Sequence, residues 1–128
     1  MGKIHLSFSR IEYAAITKLA GAMASADGKS DPMEVAFMTL EASRFNIQND
    51  ALKGILSLSN EMSPADAIGI VSKLDDVHKK YVTAYLGMMI AVDGDIDDEE
   101  IRLWRLVSTL ANLPSMTIAE SKKYMSEL

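Results

Sequence analysis

Apolar residues recur at three- and four-residue spacing along almost the whole chain, the pattern of amphipathic helices. No segment alternates with the two-residue period of a half-buried strand. Start and stop signals divide the pattern. Ser9 and Glu12 form an S-x-x-E capping box that opens a first helix. Its stripe is Ile11, Ala14, Ala15, Leu19, Ala22, Met23 and Ala26, and Gly28 suits its left-handed end. Asp31 and Pro32, with Glu34 three residues beyond Asp31, open a second helix carrying Val35, Met38, Ala42 and Phe45. Asn49 is the expected cap of a third, with Leu52, Ile55, Leu56 and Leu58. Ser63-Pro64 opens a fourth, with Ala67, Ile70, Val71 and Leu74. Asp75 or Asp76 opens a fifth, with Tyr81, Tyr85, Leu86, Met89 and Val92, and Gly94 ends it. Asp97 caps a sixth, with Ile101, Trp104, Leu106, Val107 and Leu110, and Pro114 blocks its continuation. Thr117 and Glu120 form a last capping box before a final short helix. The pattern predicts an all-α, compact single-domain bundle of about six to seven helices over residues 1–128.

The helical pattern repeats. At an offset of 66 residues, Gly21, Met23, Asp27, Gly28, Asp31, Glu34, Leu40 and Asn46 match Gly87, Met89, Asp93, Gly94, Asp97, Glu100, Leu106 and Asn112 without a gap. The two units, about 14–47 and 80–113, each read apolar helix, D-G-x-x-D-x-x-E, apolar helix. Capping explains most of that motif: Gly ends one helix, and Asp and Glu start the next. Asp27 and Asp93 exceed what capping needs, because an acid at a helix C-terminus opposes the helix dipole.

Charge sharpens the second turn. The chain has 18 acids and 13 bases, a net of −5. Six of those acids, Asp93, Asp95, Asp97, Asp98, Glu99 and Glu100, stand within residues 93–100 with no base among them. Without this segment the bases would outnumber the acids by one. Arg102 and Arg105, one turn on, are the nearest counter-charges in sequence. Hard cations take carboxylate oxygens, so a divalent cation, Ca²⁺ or Mg²⁺ first, is the candidate counter-ion of this segment, in a half-loop site built from Asp93, Asp97 and Glu100 with Asp95 beside them. The segment matches the second half of an EF-hand loop, but the first two ligand positions would fall on Met89 and Ala91, which cannot ligate.

The runs ASADGKSDPME at 24–34 and AVDGDIDDEE at 91–100 resemble the signature of the tellurite-resistance TerB-like family, in which an A-D-G turn joins two helices and an acid follows. The likeness spans roughly residues 9–127. It implies an all-helical bundle, divalent metal at the acidic residues, and a role in metal or stress response within larger protein assemblies. Carried over by position, the metal-binding residues are Asp27, Asp31 and Glu34, then Asp93, Asp97 and Glu100. Lys29 and Pro32 stand where the second unit has Asp95 and Asp98, which makes the second unit the richer in oxygen donors.

The remaining chemistry is sparse. There is no Cys, so disulfides, thiolate nucleophiles and Cys-based zinc sites are excluded. The two His, His5 and His78, have no H-x-x-H or H-E-x-x-H partner, and a solvated helix surface is the expected setting of His78. No G-x-S-x-G elbow, P-loop or G-x-G-x-x-G occurs. A net negative charge with 6 % aromatics argues against a nucleic-acid partner. No run of about 18 apolar residues is present to cross a membrane, and a cytoplasmic location is the expectation. Gly87, matched by Gly21, is expected at a close helix–helix contact, the nine Met are expected as core filling, and Lys79-Lys80 and Lys122-Lys123 as solvated pairs. Expected partners are other proteins, self-association included. The leading expectation is a non-enzymatic module that binds a divalent cation weakly. Its alternatives are a purely structural interaction domain whose acids are caps and, behind that, a metal-assisted hydrolase.

Overall fold

Most of the helices begin where a short polar side chain takes up free backbone N–H groups. The computed structural model describes residues 6–25, 32–92, 94 and 96–128. The helices are α1 (Arg10–Ser25), α2 (Pro32–Arg44), α3 (Asp50–Glu61), α4 (Pro64–Ser72), α5 (Asp76–Ala91), α6 (Asp98–Leu110) and α7 (Ile118–Ser126), and no strand occurs among the described residues. The Ser9–Glu12 box closes at 2.8 and 3.2 Å, and the Thr117–Glu120 box at 2.8 and 3.0 Å. Ser63 forms a third box with Asp66. Asp75 caps α5 by accepting from the His78 N–H. Asn49 does precede α3, but its side chain makes no capping bond. Its backbone takes a left-handed φ of 53° instead.

The pseudo-repeat is realised helix by helix. α1 and α5, and likewise α2 and α6, have boundaries that differ by the same 66 residues. Both α2 and α6 close on an asparagine in the left-handed region, Asn46 at φ 60° and Asn112 at φ 55°. The Ile47 N–H then bonds back to the Ala42 carbonyl at 3.0 Å, and the Leu113 N–H to the Ser108 carbonyl at 2.8 Å. This is the Schellman closure, in which the left-handed residue lets the chain reverse while satisfying carbonyls of the last turn. The repeat also reaches further than residues 14–47 and 80–113, because α3 and α7 follow at corresponding places. Each half is therefore a three-helix unit, and α4 alone has no counterpart.

α1 and α5 pack on each other at the centre. α1 is flanked by α3 and α4, while α5 is flanked by α7 and α6. α5 is buried over nearly its full length, with Tyr81, Val82, Ala84, Leu86, Met89 and Ile90 inaccessible to water. Such a helix is apolar all round because it has neighbours all round. Gly87 is the point of closest approach: a Cβ there would collide with Ser121 on α7 and sit 2.8 Å from the Trp104 ring on α6. Trp104 is core, 6 % exposed, and its indole N–H donates to the Thr83 carbonyl at 3.2 Å. Met23, Met62, Met89 and Met125 fill the core as expected, whereas Met33, at the start of α2, is exposed.

Several expectations need correction. Gly21 faces open space, so the close contact exists in the second half only. Ile11, Val35, Leu56, Leu106 and Leu110 belong to the apolar pattern yet lie exposed. Val35, Leu56, Leu106 and Leu110 lie on outer helices with a neighbour on one side only, so a stripe wider than that neighbour cannot be covered, while Ile11 lies in the first turn of α1, at the end of the bundle. Lys79 is buried at 7 % exposure rather than solvated, because it occupies on α5 the position that Tyr13 holds on α1, facing inward. Ala26 and Gly28 lie outside the described residues.

The glycine pair separates sterics from propensity. Gly87→Ala is expected to cost about 1–3 kcal/mol through overpacking. Gly21→Ala is expected to be neutral or to add about 0.5–1 kcal/mol through helix propensity. Urea unfolding of the two variants checks the opposite signs.

Candidate functional site

The second acidic turn is built from the end of α5 and the start of α6. Gly94 adopts φ 81° and its N–H bonds to the Ala91 carbonyl at 3.0 Å, which closes α5. Asp97 then caps α6 from an extended backbone, its Oδ1 accepting from the Glu99 N–H at 2.8 Å. Glu99 turns to solvent and pairs with Arg102 at 2.6 Å. Glu100 turns the other way and is only 2 % exposed. In the first half Glu34 occupies the corresponding position near the start of α2 and is 4 % exposed. Burying a carboxylate is costly unless polar or charged partners meet it, so two buried glutamates at matched positions form a constrained feature of both turns.

Of the seven residues expected to bind metal, Glu34, Asp97 and Glu100 are described. Asp27, Asp31, Asp93 and Asp95 lie outside the described residues. Glu34 sits at one turn and the Asp97–Glu100 pair at the other. Among the described residues no group of three His, Cys, Asp or Glu side chains gathers closely enough to hold a metal ion. The donors that are described are hard carboxylate oxygens, the chemistry Ca²⁺ and Mg²⁺ accept. One Asp97 oxygen is already engaged as a helix cap.

A second polar centre, without a motif in the sequence, lies where α2 meets α5. Glu41 is 6 % exposed. The Tyr81 hydroxyl donates to its Oε1 at 2.7 Å, and Arg44 holds both carboxylate oxygens at 3.0 Å through Nε and Nη2. Burial, then the Glu41 charge, pushes the Tyr81 hydroxyl far above the ordinary tyrosine range. The same two causes raise Tyr13, while in Tyr85 burial leads and the nearby Tyr13 and Glu41 add to it. These phenols are neutral donors at any physiological pH. Arg44 is raised in turn, chiefly by its hydrogen bond to Glu41. Ring contacts continue the cluster: Phe37 meets Tyr85 edge-on at 5.4 Å, and Phe45 meets Tyr81 at 5.4 Å. A paired carboxylate beside neutral phenols is a fastening, suited to holding α2 on the body of the protein. Only the spacing of Glu41 and Arg44, i and i+3 on one helix, could have hinted at it.

His78 is likewise structural rather than solvated. Its Nδ1 lies 2.6 Å from Asp75 Oδ1 and its Nε2 3.0 Å from the Ser7 carbonyl. Its ring packs edge-on against Phe8 at 5.0 Å between centroids, and Phe8 in turn meets Phe45 at 5.5 Å. The segment before α1 is thereby tied to α5. The Asp75 carboxyl is held below the ordinary range, first by the His78 backbone N–H and then by the His78 side chain.

No protein-family model matches the chain. No curated protein matches it either. Among solved structures, the crystal structure of a protein of unknown function from Porphyromonas gingivalis W83 is similar, with 44 % sequence identity and a TM-score of 0.85. The match covers 97 % of this chain and 100 % of that one. The chain belongs to the same family of small all-α bundles as that protein.

Two variants test the fastenings. Tyr81→Phe leaves Glu41 short of one donor in a buried place and is expected to cost about 1–3 kcal/mol in chemical denaturation. For Asp75, a depressed folded pKa means that its contribution is complete above the unfolded value, about 3.9, and is lost as the pH falls through the lower folded value. The stability gap between wild type and Asp75→Ala should therefore be constant near neutrality and shrink on acidification below about pH 4.

Proposed function

We propose that this protein is a non-enzymatic helical module, TerB-like in its two acidic turns, that binds a divalent cation weakly and docks on other proteins in metal or stress response. The observation that carries the reading is the pair Glu34 and Glu100. Both are almost fully buried, at matched positions beside turns whose sequences are rich in Asp. A carboxylate withdrawn from water at a turn whose sequence is rich in Asp is a setting that suits a hard cation. Asp97, half-buried at the same turn, adds a donor, and Glu100 points inward where Glu99 points out. A docking role draws support from Leu40 and Leu106, also at matched positions, which are 69 % and 54 % exposed. No described helix is long and apolar enough to cross a membrane.

A second reading treats the acids as caps and nothing more, and the Asp97 to Glu99 N–H bond favours it at that residue. Calorimetric titration with Ca²⁺, Mg²⁺, Mn²⁺ and Zn²⁺, alongside thermal melts, separates the two. The cation reading expects saturable heat and a raised Tm at millimolar metal, both lost in Glu100→Gln. Absence of heat and of any Tm shift at millimolar metal would sink it. The cap reading then predicts that Asp97→Ala costs about 0.5–2 kcal/mol whether or not metal is present.

A further inference from the structure

A groove of about 720 Å³ runs between α6 and the segment leading into α7. It is far from apolar throughout. Ile101, Trp104, Leu113, Met116 and Ile118 form one side of its character, and Arg105 with the hydroxyls of Ser108 and Ser115 forms the other. No carboxylate among the described residues lines it, although the chain as a whole carries a net −5. Arg105 differs from its neighbours on this point. Arg44 is bound to Glu41 and Arg102 to Glu99, whereas no carboxylate among the described residues lies within salt-bridge distance of Arg105. Its guanidinium is exposed, charged at all physiological pH, and shaped to take two oxygens side by side.

We propose that this groove is a binding site for a small amphiphilic carboxylate, an acid of medium chain length. Its carboxylate pairs with Arg105, within reach of the Ser108 hydroxyl, and its hydrocarbon body lies along Trp104 and Ile101. The volume is in the range of small-molecule sites, and the arrangement of apolar walls with a few polar groups to fix orientation is the usual one. The charge decides the sign of the head group: one cation and no anion at the wall select an anion. The apolar wall excludes a bare inorganic anion as the preferred occupant, because it would leave the greater part of the groove unmatched. The proposal does not draw on the cation reading: Asp97 and Glu100, at the start of α6, are not among the residues that line the groove.

Trp104 is the single tryptophan of the chain and lines the groove, so its emission reports occupancy directly. Sodium octanoate, kept below its micellar concentration, is titrated into the whole protein, with octanol and inorganic phosphate as separate arms. The expected result is a saturable change with octanoate, and binding at least about tenfold weaker for octanol and for phosphate, the loss of one charge-assisted contact or of the apolar one. Arg105→Gln should weaken octanoate about tenfold, while Arg102→Gln, whose side chain pairs outside the groove, should bind as the wild type does. Both positions are exposed, and circular dichroism verifies that the variants are folded. No saturable response, octanol binding as tightly as octanoate, or equal losses in the two arginine variants would each overturn the proposal.

Discussion

The hydrogen bond from Tyr81 to Glu41 is the constraint on which the placement of α2 depends. α2 buries little of its own surface: only Glu34, Glu41 and Ala42 along its length are fully covered. A helix with so little apolar burial is not held by the hydrophobic effect alone. Glu41 compensates by reaching a donor on the central helix, and Arg44 neutralises the charge that this brings inside. Phe37 and Phe45 then add aromatic contact on either side of the bond. The fastening by Tyr81 and Arg44 thus lies near the C-terminal end of α2, away from the turn that precedes the helix.

The second half solves the same problem differently. α6 is held by Trp104, which is packed over Gly87 and bonded to the Thr83 carbonyl. The corresponding residue on α2 is Met38, only half-buried, and the glycine opposite it, Gly21, faces open space. The halves thus share backbone boundaries, left-handed asparagines and buried glutamates, yet one outer helix is fastened by a polar bond and the other by an aromatic ring. The two units keep one backbone geometry while each outer helix is fastened to its own neighbours.

Much of the fold was legible because its signals are local. Capping boxes at Ser9, Ser63 and Thr117, and the single-residue caps at Asp75 and Asp97, depend on residues three or fewer positions apart, so spacing alone reveals them. The repeat gave the pairing of α1 with α5 and of α2 with α6. What escaped was non-local. Glu41 and Tyr81 are 40 residues apart, and the His78 contact with Ser7 spans 71. Exposure also escaped: Val35 and Leu106 fit a helical stripe as well as Ala42 and Val107 do, and only the number of neighbours around an outer helix decides which are covered. At the acidic turns the sequence places acids close along the chain, but the inward turn of Glu100 and the outward turn of Glu99 follow from their angular separation on α6 and from what packs beneath it.

α4 has a consequence of its own. It lies against α1 and has no equivalent beside α5, where α7 provides the larger packing surface. The molecule is therefore a two-unit pseudo-repeat with one surplus helix, and the likeness of its halves is broken at that seam. Two identical three-helix units could not associate to reproduce it, since one of them would lack the cover that α4 gives α1. The connector is part of the core, with Ala67 and Val71 of α4 fully buried, so the two halves are not interchangeable even though their helices correspond in order.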